Sequence, residues 1–331
     1  MSGETLDGPT LGRVLSLFQV EGPRVAHAIE SGNRNDNFVV QDAAGDRYVL
    51  RHFRRNPDVN RIAFEIAFQV FAFRRGLPVA QVVKTYAGRD LLEDPSGMWA
   101  LFSFIEGEDF DFDCMQQVTA AASALAEFHR VTATFSGTEV VGRGGPGVRR
   151  WWTLGERLLN ELQAMFAGAG VDEDLAFLRR WHADLVREWP LSRLDALGTS
   201  WVHGDFHGRN VRFAGTTVNG IFDFDLLHFG YAVEDVADAL FRFGRESRGS
   251  LRVRPDVARL FVGEYDRHRE LTASERRAIP IMAPLVMARD RAYFLLIAAA
   301  GRDPVSFLNE KVRIMRSRLE QGEEIARVLL S

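Results

Sequence analysis

The stretch His203-Gly204-Asp205-Phe206-His207-Gly208-Arg209-Asn210 decides how this chain folds. A second polar stretch, Ile221-Phe222-Asp223-Phe224-Asp225, follows it after Gly215-Thr216. Both lie in residues 200–224, an island of short strands in a region that otherwise has the apolar periodicity of helices. Gly215-Thr216 is turn chemistry, so it predicts a hairpin between residues 211–213 and 218–222. Asn210 and Asp223 then lie together at the open end of that hairpin.

The spacing Asp-x-x-x-x-Asn is typical of the catalytic loop of kinases, and an aspartate that ends a strand beyond Asn210 suits a metal ligand. Phosphoryl transfer needs a carboxylate that accepts or orients the proton of the acceptor hydroxyl. It also needs oxygen ligands that hold Mg²⁺ against the nucleotide phosphates. We therefore predict that Asp205 is the catalytic carboxylate and that Asn210 and Asp223 are the metal ligands.

The first third of the sequence has the pattern of short strands with one helix, and the rest is mainly helical. The predicted strands are residues 25–30, 38–41, 47–53, 82–86, 90–93 and 98–105. The predicted helices are residues 57–75, a helix that starts near Asp113, and residues 148–166, 173–188, 255–268 and 273–296. This order predicts an α+β protein with a small antiparallel lobe at 1–105 and a larger helical lobe at 106–331.

With these motifs in place, the sequence resembles the aminoglycoside phosphotransferase and choline kinase-like superfamily, whose members have a bilobal protein-kinase-like fold. The family's His-Gly-Asp-x-His-x-x-Asn motif stands here without a gap at residues 203–210. The resemblance implies that Asp235, at the start of a later helix, supports this loop. It also implies that Arg51 reaches the nucleotide phosphates and that Glu65, on the next helix, is its ion-pair partner.

The resemblance further implies that the first lobe and its hinge bind a nucleotide, ATP or GTP, and that the second lobe binds the acceptor. The nucleotide loop is residues 31–37, with Ser31 and Asn33 as candidate contacts, and the hinge is residues 102–105, where Ser103 and Ile105 meet the purine through backbone groups. Two features depart from protein kinases: Arg51 stands where they have lysine, and the loop lacks Gly-x-Gly-x-x-Gly. An arginine keeps the charge but spreads it over a planar group, so phosphate pairing is expected to survive.

Simpler structural roles compete with several of these assignments. Taken singly, Asp205 is more typical of a turn residue that bonds its own backbone, and only the complete motif favours catalysis. We favour a bracing role for His203 and a packed helix-end role for His129. Five carboxylates in residues 106–113 suggest attraction of a cationic acceptor, but a solvated linker is the more common explanation of such a run.

Other classes fit less well. The Asp-x-Asp at Asp223 and Asp225 also resembles the nucleophile motif of haloacid-dehalogenase-type phosphatases, but that motif usually lies near the N-terminus. A stress-response-type protein kinase and a catalytically silent scaffold remain alternatives. The absence of an activation segment before Asp235 favours a small acceptor. We expect an antibiotic phosphotransferase, with a homoserine- or choline-like metabolite kinase as the alternative.

The composition of the chain indicates which partners and which cellular compartment to expect. The 331 residues are 46% apolar and 26% charged, as in ordinary globular proteins. A net charge of −4 without a basic stripe argues against a nucleic-acid partner. Cys114 is the single cysteine, which fits a reducing compartment. The apolar runs are too short to span a bilayer and no secretory signal is evident, so we expect a cytoplasmic protein without a membrane partner. The sequence does not indicate an oligomeric state.

Overall fold

The computed structural model describes residues 8–29, 35–53, 58–137 and 147–330. The chain divides into two compact units. The first holds the described residues up to Gly107, the described part of 135–142, and Asn219–Phe222. The second holds the remaining described residues, including most of the helices. The α+β class and the bilobal protein-kinase-like architecture expected from the sequence are confirmed.

The first unit is built on an antiparallel sheet with two helices. Its strands follow the spatial order β1-β2-β3-β6-β4, and β5 also pairs with β6. The elements are α1 (Gly8–Leu15), β1 (Arg24–Ile29), β2 (Asp36–Gln41), β3 (Arg47–His52), α2 (Val59–Arg74), β4 (Val82–Val83), β5 (Leu92–Asp94) and β6 (Gly97–Ser103). The predicted strands and the predicted helix all appear, with ends that differ by a few residues.

Each face of this sheet packs against its own apolar cluster, because successive side chains of a strand point to opposite faces. On one face, Leu50 and Leu101 pack with the buried residues of α1. On the other face, Phe102 packs with Ile62 and Ile66 of α2. Arg51, next to Leu50, lies on the α2 face, where its guanidinium carbon is 5.6 Å from the centre of the Phe102 ring.

Helix α2 has a defined start and end. The Asp58 side chain accepts a hydrogen bond of 3.1 Å from the backbone N–H of Arg61, which satisfies one of the free donors of the first turn. The chain leaves the helix through Gly76, whose φ of +84° is accessible to glycine at little cost. The helix therefore presents Glu65 at a fixed position on its buried side.

The second unit is mainly helical, with helices α3 and α9 packed along each other and α8 packed on α10. A short antiparallel sheet of β7 and β10 and a hairpin of β8 and β9 interrupt the helices in this part of the sequence, and β9 runs into Asn219–Phe222, which belongs to the first unit. The elements are α3 (Met115–Thr132), α4 (Arg150–Thr153), α5 (Gly155–Met165), α6 (Asp172–Glu188), α7 (Leu191–Leu194), β7 (Thr199–Val202), β8 (Val211–Ala214), β9 (Thr217–Ile221), β10 (His228–Tyr231), α8 (Ala232–Phe243), α9 (Pro255–His268), α10 (Ala273–Leu285), α11 (Arg291–Ala299), α12 (Pro304–Glu320) and α13 (Gly322–Leu330).

Two predicted helices are each divided in the structure. The prediction of one helix over 273–296 is wrong, because α10 ends at Leu285 and Asp290 starts α11 by accepting a hydrogen bond of 2.9 Å from the N–H of Tyr293. The prediction of one helix over 148–166 is likewise wrong, because the chain breaks at Leu154 between α4 and α5. In both cases the apolar pattern continues through the break. Among the described residues, no helix is long and apolar enough to cross a membrane.

The turn between β5 and β6 provides a stability test of the first unit. Gly97 has a φ of +130°, and a Cβ built on it would lie 2.5 Å from Nε2 of His52, which stacks on the buried Trp99. We expect Gly97→Ala to reduce the free energy of unfolding by about 1 to 3 kcal/mol, the range for a residue held in a sparsely populated backbone region. Chemical denaturation measures this change.

Gly12→Ala is the matched control, because a Cβ there meets no atom within 4 Å and Gly12 lies inside α1. It should raise the unfolding free energy by about 0.5 to 1 kcal/mol. Equal stabilities for the two variants would contradict this account of the turn.

Candidate active site

Residues 203–210 follow strand β7 and are held at their start by Asp235, in the first turn of α8. The backbone N–H of His203 donates to Oδ2 of Asp235 at 2.6 Å, and the N–H of Gly204 donates to Oδ1 at 2.8 Å. One buried carboxylate thus takes two consecutive backbone donors. Hydrogen bonds to an ionised acceptor are stronger than neutral ones, so this contact fixes the loop rigidly. The supporting role expected for Asp235 is what the structure shows.

Asp235 is in turn held by His129, in the last turn of α3. Nε2 of His129 lies 3.1 Å from Oδ2 of Asp235, and Nδ1 lies 2.7 Å from the hydroxyl of Tyr265 on α9. Burial lowers the pKa of His129, and this effect outweighs the opposing influence of Asp235. A neutral imidazole therefore donates from Nε2 to Asp235 and accepts from the Tyr265 hydroxyl. His129 has a structural role, as the sequence analysis favours.

The loop also packs against the segment that follows Asp223. Gly204 has a φ of +79°, and a Cβ on it would come within 2.7 Å of the carbonyl oxygen of Leu226, so only glycine fits here. The ring of the buried His203 lies 5.2 Å from the ring of Phe224. The N–H of Asp205 donates to Nδ1 of His203 at 3.3 Å. These contacts bring together the two polar stretches of the sequence, and His203 braces the loop.

Asp205 is partly buried, and two side chains of its own loop flank it. Nε2 of His207 lies 3.4 Å from Oδ1, and Nδ2 of Asn210 donates to Oδ2 at 3.2 Å. Burial by itself would raise the pKa of Asp205. The hydrogen bond and charge of His207, together with the charge of Arg242, nevertheless lower that pKa to about 2. The Asp205 carboxylate is therefore ionised at neutral pH.

The two predicted metal ligands, Asn210 and Asp223, have surroundings that suit a magnesium ion. Both side-chain N–H donations of Asn210 go to Asp205, at 2.9 Å to its backbone oxygen and 3.2 Å to its side chain, which leaves the amide oxygen as a possible ligand. Asp223 has a φ of +64°, the one positive value among the described residues other than glycine. Such strained conformations concentrate at functional sites.

The described residues contain no cluster of three or more His, Cys, Asp or Glu side chains that would hold a metal by themselves. Mg²⁺ is commonly held by one or two carboxylates together with substrate phosphates and water, rather than by an all-protein cage. An amide oxygen from Asn210 and a carboxylate from Asp223 fit that pattern.

The candidate nucleotide residues of the first unit have mixed surroundings. The peptide groups of Ile105 make no hydrogen bond among the described residues, so they are available to a purine. The backbone N–H of Ser103 donates to the Gln81 carbonyl oxygen, and its hydroxyl accepts from the Gln81 N–H, both at 2.9 Å. Ser31 and Asn33 lie outside the described residues.

Arg51 and Glu65 have other recorded partners. Nε of Arg51 donates to Oδ1 of Asn37 at 3.1 Å, and Oε1 of Glu65 accepts from Nε of Arg61 at 2.6 Å. Arg51 makes no ion pair with Glu65 among the described residues. Their pairing stays a prediction for the nucleotide-bound enzyme.

The acidic segment 106–113 is partly neutralised by arginines. Within the first unit, Arg47 pairs with Glu106. Within the second, Asp109 pairs with Arg212 and, at 3.1 Å, with Arg248. These contacts favour the solvated-linker interpretation over attraction of a cationic acceptor.

Sequence reasoning did not single out Arg242, whose charge acts on Asp205. Its Nε lies 3.4 Å from Oδ2 of Asp238, one helical turn earlier on α8. Two features of the sequence point towards Arg242: it follows Asp238 by four residues, and it lies on the same helix as Asp235. Ion pairs at i, i+4 are common on helices, however, so these features do not single it out.

The comparisons with known proteins agree with this geometry. The "Phosphotransferase enzyme family" matches residues 25–271, about three quarters of the chain. A homoserine kinase of Sinorhizobium fredii is 27% identical over 322 residues, which cover 95% of this chain and 94% of that protein. Seven further bacterial relatives, 24% to 26% identical, carry the same name.

Solved structures extend the likeness to the fold. An amicoumacin kinase in complex with AMP-PNP, Ca²⁺ and Ami superposes with a TM-score of 0.66 at 14% identity, covering 96% of this chain and 94% of that one. A microcompartment-associated aminopropanol kinase also gives a TM-score of 0.66, at 18% identity, with 96% and 97% covered. The resemblance expected from residues 203–210 is confirmed. The chain belongs to the phosphotransferase enzyme family and is a small-molecule phosphotransferase that uses an alcohol group as acceptor.

Proposed function

We propose that this enzyme transfers the γ-phosphate of ATP or GTP to the hydroxyl of a small hydroxy amino acid of the homoserine type, with Mg²⁺ as cofactor. The observation that carries the chemistry is the ionised Asp205, fixed between His207 and Asn210 on a loop that Asp235 immobilises. The support for the acceptor class is the near full-length similarity to homoserine kinases.

Asp205 would act mainly by orienting the acceptor. An ionised carboxylate accepts a hydrogen bond from the hydroxyl and directs an oxygen lone pair at the γ-phosphorus. Because its pKa is about 2, it is a weak base, and the proton would leave the hydroxyl only as the new O–P bond forms and the bond to the leaving nucleoside diphosphate breaks. Positioning and electrostatics supply most of the rate enhancement in such transfers.

Asn210 and Asp223 would hold the metal through the amide oxygen and the carboxylate. When bound, Mg²⁺ supplies charge neutralisation at the β- and γ-phosphates. The side-chain N–H of Asn210 that donates to Asp205 then couples the metal site to the acceptor site, since one amide would serve both.

The first unit would bind the nucleotide. The peptide groups of Ile105, which make no hydrogen bond with any described residue, suit the purine, and the positive charge of Arg51 suits the phosphates. Contacts from Ser31, Asn33 and Ser103 belong to the same proposal, as does the pairing of Arg51 with Glu65.

An antibiotic acceptor, the first expectation of the sequence analysis, is the second candidate. The same experiment also tests two other acceptor classes, which are amino alcohols related to choline and the hydroxyl groups of proteins.

We expect purified enzyme with Mg²⁺ and ATP or GTP to release nucleoside diphosphate with homoserine at a higher kcat/KM than with an aminoglycoside, an aminopropanol or a generic protein substrate. Turnover of an aminoglycoside but not of homoserine would contradict the proposed acceptor class.

Asp205→Asn is the matched control for this screen. Loss of the carboxylate should reduce kcat by about 10²- to 10⁴-fold, the usual contribution of a positioned acid–base group, without weakening nucleotide binding. A kcat close to wild type would remove Asp205 from the reaction.

The metal ligands predict different responses to Mg²⁺ concentration. Asp223→Ala should abolish turnover at all Mg²⁺ concentrations, whereas Asn210→Ala should retain some activity that rises at high Mg²⁺, because a carboxylate binds the cation more strongly than an amide. Activity measured across a Mg²⁺ titration checks this. Asp225→Ala is the control in the same stretch; if it, rather than Asp223→Ala, removes the metal dependence, the assignment is off by two residues.

A further inference from the structure

Three basic side chains of the second unit come from segments that pack together around α10, and one of them, Arg242, acts on the catalytic carboxylate. Arg242 is on α8, Arg289 follows α10, and Lys311 is on α12. Arg242 influences the ionisation of both Asp205 and Lys311, and Arg289 influences that of Lys311. We call Arg242, Arg289 and Lys311 the basic cluster.

The carboxylates around the basic cluster do not balance its charge. Asp238 is shared, since Nη2 of Arg318 lies 2.6 Å from Oδ1 while Nε of Arg242 lies 3.4 Å from Oδ2. The exposed Glu310 acts on Lys311 only electrostatically. Arg318 and the three cations of the cluster thus outnumber the carboxylates that act on them, which are Asp238, Glu310 and the catalytic Asp205.

Of the three side chains in the basic cluster, Lys311 has the positive charge that nearby carboxylates compensate least. Its Nζ lies 4.7 Å from the centre of the Phe307 ring, and no carboxylate of the described residues lies within 4.0 Å of it. Arg289 donates to the backbone oxygens of Val286 and Ala288 and lies over the Tyr293 ring, so it too has no acidic partner among the described residues. Burial, followed by the charges of Arg289 and Arg242, lowers the pKa of Lys311 to about 7.

An ammonium group in this position destabilises the empty protein, because a partly buried charge beside two like charges loses solvation and gains repulsion. An anion bound at the cluster would reverse both effects. Strongly perturbed groups near a catalytic residue are candidates for functional contacts.

We infer that the basic cluster binds a carboxylate of the acceptor and thereby orients the acceptor's hydroxyl at Asp205. The inference rests on the proposed function, whose acceptor site it assigns. A small hydroxy acid satisfies the cluster and Asp205 together. An aminoglycoside or a simple amino alcohol, which is cationic and has no carboxylate, does not.

The nucleotide phosphates are a second source of negative charge. The charge of Arg242 acts on Asp205, the carboxylate that orients the acceptor. This favours the acceptor, rather than the nucleotide, as the molecule that brings the anion to the cluster. The experiment therefore includes both anions as separate arms.

The chain has only two lysines, Lys84 and Lys311, which makes a direct test possible. Reductive ¹³C-methylation of the wild-type enzyme gives one NMR signal for each, besides that of the terminal amine. We expect the Lys311 signal to titrate near pH 7 in the free enzyme. Saturating homoserine, or 2-aminobutyrate, which keeps the carboxylate but lacks the hydroxyl, should shift this signal and raise its midpoint.

Lys84 is the internal control, because its Nζ is already paired with Asp90 at 3.0 Å in the first unit. Its signal should not respond to either acid. A Lys311 signal that responds to MgADP but not to the acids would assign the cluster to the nucleotide and overturn the inference. A signal that responds to neither would overturn it as well.

Steady-state kinetics provide the second measurement. Lys311→Met should raise the KM for homoserine by about 10-fold or more, equivalent to at least ~1.4 kcal/mol of binding, with little change in nucleotide KM. Lys311→Arg should recover most of the loss, and Lys84→Met should behave as wild type. The preference for homoserine over aminopropanol should fall in Lys311→Met, and an unchanged preference would contradict the subsite.

The two measurements separate this inference from the proposed function. If the Lys311 signal shifts with 2-aminobutyrate and homoserine but no turnover of homoserine occurs, the anion subsite is supported and the proposed acceptor is overturned. If homoserine is turned over while the Lys311 signal stays unchanged, the proposed function is supported and the subsite is overturned.

Discussion

The bidentate contact between the Asp235 carboxylate and the backbone N–H groups of His203 and Gly204 is the interaction on which the active loop depends. Asp205 and Asn210 make most of their recorded contacts within the loop itself, to His203, to His207 and to each other. They can take defined positions only because the start of the loop is fixed. The neutral His129 extends this restraint to α3 and, through Tyr265, to α9. Three helices of the second unit thereby share in positioning one carboxylate.

The inferred anion subsite would separate one class of acceptor from another by charge. In the acidic segment 106–113, the carboxylates of Glu106 and Asp109 are paired with arginines. In the second unit, by contrast, the basic cluster and Arg318 together outnumber the carboxylates that act on them, Asp238, Glu310 and Asp205. A site with excess positive charge favours an acceptor with a carboxylate, because charge complementarity determines which ligands are attracted and which are repelled. This agrees with the similarity of the chain to homoserine kinases.

The sequence was sufficient to predict the parts of the site that are local in the chain. Asp205 and Asn210 are five residues apart, and the turn at Gly215 sets the following hairpin, so their relation follows from spacing alone. The role of Asp235 came from the family resemblance. The φ of +64° at Asp223 could not be predicted from the sequence, because it results from packing. The basic cluster could not be predicted either, since only the tertiary fold brings together α8, the loop after α10, and α12. The break before Asp290 was missed because the apolar pattern continues past it, although Asp290 is itself a typical N-cap residue.

The most direct test of this account is the variant Asp235→Asn, followed by amide hydrogen exchange in residues 203–210 together with kcat. An asparagine keeps the shape but directs an NH₂ group at one of the two backbone donors, which leaves that donor unpaired in a buried position. We expect exchange in the loop to accelerate and kcat to fall by about 10²-fold, the scale of loss when a catalytic group is displaced by about 1 Å. The nucleotide affinity should stay unchanged. Asp266→Asn, which removes a carboxylate paired with Arg276 on the surface of the same unit, should leave loop exchange and kcat as in wild type. Wild-type exchange and kcat in Asp235→Asn would contradict the central role given to this carboxylate.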